Sequence, residues 1–214
     1  MRILLTGFDP FGGEKVNPAF EAVKLVPSSV AGAEIVKLEI PTVFGKCDKV
    51  VAAAVREKRP DVVLSIGQAG GRFDMTVERV AVNIADGRIA DNEGNQPIDQ
   101  TIREDGENAY FATLPVKAMV ERIRSKGIPA SVSYTAGSYV CNYIMYCELY
   151  MAAKEFPGLR CGFMHVPFLP AQAIGKPSPV PTMSVENIAL AIEAALEAIV
   201  DSPSDLRRSE GTIA

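Results

Sequence analysis

The sequence predicts an α/β fold with a largely parallel central sheet, and two observations lead to that prediction. Short continuous apolar runs recur along the chain and end at or near glycine or proline, as strands buried on both faces do. Between them lie longer stretches with the apolar spacing of amphipathic helices. Alternating strand, loop and helix is typical of sheets whose strands run in parallel.

The individual elements follow from the same patterns. Asn17 and Pro18 supply a helix N-cap followed by proline at the first helical position, and Ser184 caps a last helix that runs to about Val200. The predicted strands are residues 2–6, 33–40, 61–66, 130–134 and 160–166. The other predicted helices are residues 18–26, 44–58 and 116–126 and the segment that contains Cys141 and Cys147.

Three segments are less regular. Residues 75–85 look extended, whereas residues 86–113 form a long polar loop of the kind that usually carries function or moves. Residues 166–183 contain five prolines, so no regular structure is expected there. The tail, residues 201–214, is expected to fray.

Size and charge restrict the class of protein. A chain of 214 residues with 48% hydrophobic content is expected to form one domain, residues 1–214. The net charge of -4, with no basic run longer than Arg207-Arg208, is unlike that of a nucleic-acid-binding protein. No stretch approaches the roughly 20 apolar residues that cross a bilayer, and the first apolar run is too short for a signal peptide. A cytoplasmic protein without membrane partners is therefore expected.

Cys141 is the candidate nucleophile among four cysteines that lack metal-ligand spacing. An extended run and a small-residue turn precede it, and a helical pattern follows, which places it at or near a helix N-terminus. There the helix dipole favours an anion, so the thiol is expected to ionise more readily than in water. The alternative is a buried cysteine that acts as a small hydrophobe.

His165 is the only histidine, so any histidine base must be this one. It ends a predicted strand, at the sheet edge where catalytic groups of α/β proteins gather, and the strand before Cys141 ends there too. The two side chains can then form a nucleophile and base pair. Alternatively, His165 is a partly buried side chain with satisfied hydrogen bonds. Cys147 lies roughly 120° from Cys141 around the helix and should face elsewhere.

Glu78 is the candidate to orient the histidine. The extended pattern places its carboxylate on one face with Val80 and Val82, where a charge must be paired, hydrogen-bonded or neutralised. The alternative is a salt bridge at an edge strand with Arg72 or Arg79.

Seven motifs together point to one family. They are TGFDPFGG (6–13), VNP (16–18), IGQAGGR (66–72), TVERVAVN (76–83), DNEGNQP (91–97), SYVCN (138–142) and FMHVPFLPAQ (163–172). On these motifs the chain resembles the pyroglutamyl peptidase I family, cysteine exopeptidases that release N-terminal pyroglutamate from peptides. The weakest match is Ala19, where serine is expected.

The resemblance implies a three-layer α/β/α sandwich with a mixed, mostly parallel sheet, similar to phosphorylases and hydrolases. It also implies that Cys141 is the nucleophile of a thioester acyl-enzyme, His165 the general base and acid, and Glu78 the group that orients His165. Arg88 would stabilise the oxyanion together with the backbone N–H of Cys141, although it could equally be a solvated loop arginine. Neither a cofactor nor a metal is implied.

The resemblance further implies how the substrate is held. Phe8 and Phe11 would wall the pyroglutamyl ring, unless they are ordinary packing beneath the loop. Gln68 and backbone groups near Val140 would bond the ring amide, which proline cannot match because it lacks the lactam carbonyl. Subunits would form a homotetramer to which residues 166–183 contribute, unless that segment is a loop that covers the sheet edge.

Two other readings remain at this stage. The first strand and the FGG loop could cradle phosphate in a nucleoside phosphorylase-like enzyme, although the loop lacks the known glycine-rich phosphate patterns. The domain could also be a non-catalytic binder of blocked peptides.

Overall fold

The computed structural model describes residues 1–212, which form a sheet covered by helices on both faces. The strands are β1 (Arg2–Phe8), β2 (Ser29–Val30), β3 (Ala33–Ile40), β4 (Val62–Gln68), β5 (Met75–Glu78), β6 (Val80–Val82), β7 (Ala109–Phe111), β8 (Ala130–Ser133) and β9 (Arg160–Val166). The helices are α1 (Pro18–Leu25), α2 (Cys47–Lys58), α3 (Val116–Ser125), α4 (Val140–Lys154), α5 (Pro170–Ala173) and α6 (Val185–Asp201).

The main sheet is mixed, and most of its strand pairs are parallel. Within residues 1–212 it has seven strands in the order β2-β3-β1-β4-β9-β5-β8. Strands β3, β1, β4 and β9 run in parallel, whereas β5 is antiparallel to β9 and parallel to β8. Strand β2 is antiparallel to β3. The predicted fold class is confirmed.

Strand alternation divides the core into two layers. Ile66 and Met164 project to the layer formed with α1, α3 and α6. Leu4 and Phe163 project to the opposite layer, formed with α2 and α4. Strands β1, β4 and β9 are buried along almost their whole length because both faces are covered, which is why β1 and β4 appear in the sequence as continuous apolar runs.

Two predicted helix starts are confirmed by their cap geometry. The side-chain oxygen of Asn17 accepts a hydrogen bond from the backbone N–H of Ala19 at 3.0 Å, and Pro18 is the first residue of α1. The hydroxyl of Ser184 accepts from the N–H of Asn187 at 3.2 Å at the start of α6. Each cap satisfies one of the donors that a helix leaves unpaired.

The irregular segments differ from the expectations. Residues 75–85 are not one extended strand, because β5 stays in the main sheet while β6 pairs with β7 in a separate sheet. Strand β7 also lies inside the predicted loop 86–113. The prediction that residues 166–183 exclude regular structure is wrong, because they include α5, which Pro170 begins at a position where its missing N–H is not needed.

The segment after α6 contacts the start of α3. One carboxylate oxygen of Asp205 accepts from the backbone N–H groups of Lys117 and Ala118 at 2.9 and 3.1 Å. These contacts hold part of the segment that was predicted to fray, residues 201–214. The fraying stays a prediction, and residues 213 and 214 lie outside the described part of the chain. Across residues 1–212, no helix combines the length and apolar character that a membrane span requires.

A buried chain of hydrogen bonds fastens α4 to the sheet. The Thr6 hydroxyl donates to the Ser65 hydroxyl at 2.7 Å, and Ser65 donates to Glu148 Oε1 at 2.6 Å. Glu148 lies in α4 and is 1% exposed. Burial raises the pKa of Glu148 to about 8, although the Ser65 hydrogen bond acts in the opposite direction. The side chain is therefore held in its protonated form near neutral pH.

We predict that Glu148→Gln weakens the pH dependence of stability. In the folded protein, Glu148 keeps its proton up to about pH 8. A glutamate in the unfolded chain loses its proton at about pH 4.3. This contribution to wild-type stability is therefore complete at low pH and is lost as pH rises through that window. Glutamine mimics the protonated acid and has no proton to lose.

Urea unfolding at several pH values between about 5 and 8 measures this effect. The exposed Glu155, just after the same helix, is the control, and Glu155→Gln should keep the wild-type slope of unfolding free energy against pH. Parallel slopes for wild type and Glu148→Gln would contradict the assignment of a protonated Glu148.

Candidate active site

The three predicted catalytic side chains lie on one face of the main sheet. In the strand register, His165 of β9 is opposite Gly67 of β4 and Thr76 of β5. Glu78 of β5 is opposite Phe163. Residues directly opposite each other, and residues two apart in one strand, project to the same face. Gly67, Glu78 and His165 therefore share the face that α4 covers.

His165 and Glu78 form a buried pair. The distance between His165 Nδ1 and Glu78 Oε1 is 2.7 Å, and the two residues are 4% and 0% exposed. The Phe163 ring packs against the imidazole at a centroid distance of 4.9 Å. With Nδ1–H donating to the carboxylate, Nε2 carries the lone pair and can accept a proton. This is the arrangement of an oriented histidine base.

Cys141 is the second residue of α4, as its predicted place near a helix start requires. A Cβ added to Gly67 would lie 2.9 Å from Cys141 Sγ and 2.7 Å from Cζ of Phe163. The sulfur therefore lies over Gly67, the residue that faces His165 across the neighbouring strands. Only glycine leaves this space open.

The thiol differs from the expectation in its ionisation. Burial and, to a smaller extent, the Glu78 carboxylate raise the pKa of Cys141 to about 12, and the charge of Arg72 acts in the opposite direction. The sulfur packs between the helix start and the sheet, so the loss of water around it outweighs the helix position. The thiol therefore needs a base to remove its proton.

Glu78 is held ionised by its partners. Burial by itself would raise the pKa of Glu78, but the hydrogen bond with His165, the nearby Ser133 hydroxyl and the charge of Arg72 outweigh it and lower that pKa. Arg72 Nη1 donates to Glu78 Oε1 at 2.7 Å. Glu78 is thus a buried and paired carboxylate, as the sequence predicted.

The neighbours of Glu78 differ from the predicted ones. Val80 and Val82 belong to β6, which lies in the other sheet, so Glu78 does not share their face. It shares its face with Thr76 instead. The two readings of Glu78 are also not exclusive, because one oxygen contacts both His165 and Arg72.

The aromatic residues of the first loop lie at different depths. Phe8 is 2% exposed, and its ring centroid is 6.5 Å from that of Phe163. Phe11 is half-buried, and its ring is 6.3 Å from that of Tyr139, the residue before α4. Val140 is fully buried as the first residue of α4. The roles of Phe8, Phe11 and Val140 in substrate binding stay predictions.

Gln68 and Arg88 have different surroundings. Gln68 is the last residue of β4, and its side-chain oxygen accepts from Gln172 at 2.9 Å, so a backbone contact with substrate is favoured over a side-chain contact. Arg88 is exposed, in a loop that touches the turn before α4 through hydrogen bonds from Asp86 N–H to Ser138 O at 2.9 Å and from Tyr139 O–H to Ala90 O at 3.0 Å. Its guanidinium has no hydrogen bond or ion pair within residues 1–212.

One supporting residue, next to Cys141 in the chain, was not predicted from the sequence. Asn142 is 0% exposed, accepts from Val82 N–H at 2.9 Å, and donates to the carbonyls of Val82 and Ile84 at 2.9 and 3.0 Å. It joins the start of α4 to the end of β6 and to Ile84 just after that strand. A polar amide among the mostly apolar residues at the start of this helix was the available signal.

The other cysteines lie outside this site. Cys147 is buried, and its sulfur is 3.7 Å from Arg103 Nη2, away from His165, as the helical spacing predicted. Cys47 and Cys161 are also buried. In the part of the chain that the structure describes, no three His, Cys, Asp or Glu side chains form a group that could hold a metal ion.

The chain is similar to known pyroglutamyl peptidases along almost its whole length. Residues 1–202 match the family model described as pyroglutamyl peptidase. The pyrrolidone-carboxylate peptidase of Clostridium botulinum is 54% identical over 213 residues, which cover 100% of both chains. That of Lactobacillus johnsonii is 57% identical over 213 residues, which cover 99% of each.

Solved structures show the same similarity. The crystal structure of pyroglutamyl peptidase I from Bacillus amyloliquefaciens is 44% identical with a TM-score of 0.94, covering 97% of this chain and 99% of that one. A mutant pyrrolidone carboxyl peptidase from Pyrococcus furiosus is 40% identical with a TM-score of 0.91, covering 95% and 100%.

We predict that Gly67→Ala disturbs the thiol. The added methyl would overlap Phe163 and the Cys141 sulfur, so both must move, at a cost of about 1–3 kcal/mol in the free energy of unfolding. Alkylation of Cys141 by iodoacetamide near neutral pH should slow, because the displaced sulfur would no longer lie over the glycine that is opposite His165, the predicted base. Urea unfolding and peptide mapping of the alkylated protein measure the two effects.

Gly211→Ala is the control, because a Cβ at Gly211 meets no atom within 4 Å. It should keep wild-type stability and alkylation rate. Wild-type behaviour of Gly67→Ala in both measurements would mean that the sulfur does not lie over Gly67.

Proposed function

The chain belongs to the pyroglutamyl peptidase family, and from that premise we propose which of its residues release N-terminal pyroglutamate from peptides. Cys141 is the nucleophile, His165 the general base and acid, and Glu78 the carboxylate that orients His165. The observation that supports this most directly is the 2.7 Å contact between His165 Nδ1 and Glu78 Oε1, on the sheet face where the Cys141 thiol lies.

Acylation starts with proton transfer. His165 Nε2 takes the proton from the Cys141 thiol, and the sulfur attacks the pyroglutamyl carbonyl carbon. The carbonyl oxygen becomes an oxyanion. The bond from that carbon to the peptide nitrogen then breaks, the imidazolium gives its proton to the leaving amine, and a thioester with Cys141 remains.

Deacylation uses the same groups in reverse. His165 removes a proton from water, and the hydroxide attacks the thioester carbon. The carbon–sulfur bond then breaks, pyroglutamate leaves, and the sulfur regains a proton from His165. Glu78 stays ionised and stabilises the imidazolium that forms in each half of the reaction.

The high pKa of Cys141 agrees with this mechanism. With that pKa raised to about 12, the free thiol is protonated at neutral pH. The transfer of its proton to His165 during attack therefore supplies the nucleophile, and the ionised Glu78 favours that transfer because it pairs with the resulting imidazolium.

Two donors are proposed for the oxyanion. The first turn of a helix leaves backbone N–H groups without intrahelical acceptors, and Tyr139 supplies no side-chain cap to α4. The N–H of Cys141 is therefore the first donor. Arg88, exposed on the adjoining loop and without a partner within residues 1–212, is the second.

The proposed pocket for the pyroglutamyl ring is apolar with a few polar groups. Phe11, near Tyr139 at the start of α4, walls the ring, and Phe8 and Val140 form its buried base. Gln68 offers hydrogen bonds to the lactam. Because the lactam is neutral and carries no free amine, the pocket needs no carboxylate of its own.

Hydrolysis of a chromogenic pyroglutamyl amide by wild type and by Cys141→Ala tests this proposal. Wild type should turn over the amide, and Cys141→Ala should lower kcat on the order of 10⁴-fold or more, because the nucleophile is lost. The control is Cys147→Ala, which removes a buried thiol from the same helix and should keep the activity. The corresponding prolyl amide should not be cleaved.

The same assay separates the rival readings. A phosphorylase would keep phosphate-dependent cleavage of nucleosides in Cys141→Ala. A binding protein would retain pyroglutamyl peptide without turnover in either form. Full amide hydrolysis by Cys141→Ala would refute Cys141 as the nucleophile.

We also propose how the enzyme is organised. Residues 1–214 form a single catalytic domain in the cytoplasm, where a reducing environment keeps the reactive thiol intact. The chain assembles as a homotetramer through residues 166–183. Supporting this surface, Ile174 of that segment is 83% exposed, and a large apolar side chain in water is often part of an interface.

Size-exclusion chromatography with light scattering tests the assembly. Wild type should have the mass of a tetramer, and Ile174→Asp should lower that mass, because the aspartate would have to be desolvated in the interface. Leu25→Asp, at an exposed apolar position outside the segment, should leave the mass unchanged. A wild-type monomer, or an unchanged Ile174→Asp assembly, would contradict the proposed interface.

A further inference from the structure

We infer that Arg72 is a positioning residue of the active site, which holds the Glu78 carboxylate in place for His165. The inference rests on the proposed roles of Glu78, His165 and Cys141. Arg72 itself is not placed against the substrate, so it acts through the carboxylate.

The contacts of Arg72 converge on the catalytic strand. Its Nη1 donates to Glu78 Oε1 at 2.7 Å and also to the Thr76 hydroxyl. The same nitrogen lies 3.5 Å from the Ser133 hydroxyl, and Nη2 donates to the Thr135 carbonyl at 3.3 Å. The guanidinium thus joins β5 to the end of β8 and fixes the carboxylate between them.

The carboxylate has few other partners. Its Oε1 accepts from both His165 and Arg72, whereas Oε2 is buried without a hydrogen-bond partner in the described residues. A charged group that is 0% exposed needs such partners. Without Arg72, Glu78 would be free to turn, to present its other oxygen, or to take up a proton.

The charge of Arg72 acts on both ionising groups of the proposed reaction. It lowers the pKa of Glu78 and opposes the effect of burial on the pKa of Cys141. Both effects favour the ionised forms that catalysis uses. Because its side chain is 29% exposed, solvent screens part of this field.

Arg79 is a matched control from the same strand region. It adjoins Glu78 in the chain but projects away from the carboxylate. Its Nη1 lies 4.0 Å from Asp205, and its guanidinium lies over the Phe111 ring at 5.9 Å from the centroid. Two arginines therefore flank β5, and Arg72 is the one that contacts Glu78.

The test compares Arg72→Gln, Arg72→Lys and Arg79→Gln by kcat, KM and the pH profile of kcat/KM on a chromogenic pyroglutamyl amide. Arg72→Gln should lower kcat on the order of 10- to 100-fold through misplacement of the carboxylate, with a much smaller change in KM. Arg79→Gln should match wild type.

The pH profile separates positioning from general damage. Protonation of the Glu78–His165 pair inactivates the enzyme, and the positive charge of Arg72 opposes that protonation. Removing this charge in Arg72→Gln should therefore move the acid limb of the kcat/KM profile about one pH unit higher. Arg72→Lys keeps the charge but not the planar fork, so it should restore the acid limb but only part of kcat.

Alkylation of Cys141 by iodoacetamide gives a readout that does not depend on turnover. Arg72→Gln should require a higher pH than wild type for the same alkylation rate. Thermal unfolding checks that the variants are folded. If Arg72→Gln does not fold, Arg72→Lys tests the inference instead. A wild-type kcat together with a wild-type acid limb of its pH profile would then overturn the inference.

The inference also fails if Arg72→Gln keeps the wild-type kcat and acid limb, or if Arg79→Gln changes both to the same extent. Failure of the proposed function looks different, because wild type itself would then not hydrolyse the amide, or Cys141→Ala would hydrolyse it fully.

Discussion

The structure of the site depends on one buried interaction, the pair between the Glu78 carboxylate and the His165 imidazole. A charged carboxylate with no exposed surface is costly unless hydrogen bonds and an opposite charge compensate for the lost water. The pair is possible because β5 lies antiparallel beside β9, so Glu78 and His165 project from neighbouring strands to the same face. The proposed chemistry requires that order of strands.

Helix α4 supplies the other half of the site. Its start carries the thiol to a gap that exists because residue 67 is glycine. Asn142 fastens the helix to the end of β6, and Glu148 fastens it to the main sheet. Close packing has a chemical consequence, because it raises the pKa of the thiol. The thiol of the proposed nucleophile is therefore weakly acidic, and the proposed mechanism needs His165 to take its proton.

Structural and functional readings of the same residue coexist here. His165 is a buried side chain with a satisfied hydrogen bond and is also the proposed base. Glu78 makes an ion pair with an arginine and also contacts that histidine. Burial removes water, and this strengthens electrostatic interactions around a polar group. The same burial makes a catalytic group reactive and makes hydrogen-bond partners necessary for it.

The sequence by itself determined the local elements and the family. Apolar runs marked β1 and β4, Asn17 and Ser184 marked helix starts, and the single histidine limited the choice of base, because these signals depend on near neighbours in the chain. Tertiary structure decided which residues meet. It separated β6 from β5, selected Arg72 over Arg79 as the partner of Glu78, and desolvated the Cys141 thiol enough to raise its pKa where the helix position alone predicts a lower one. Strand order and desolvation arise from contacts between residues far apart in the chain, and periodicity along the sequence carries no record of them.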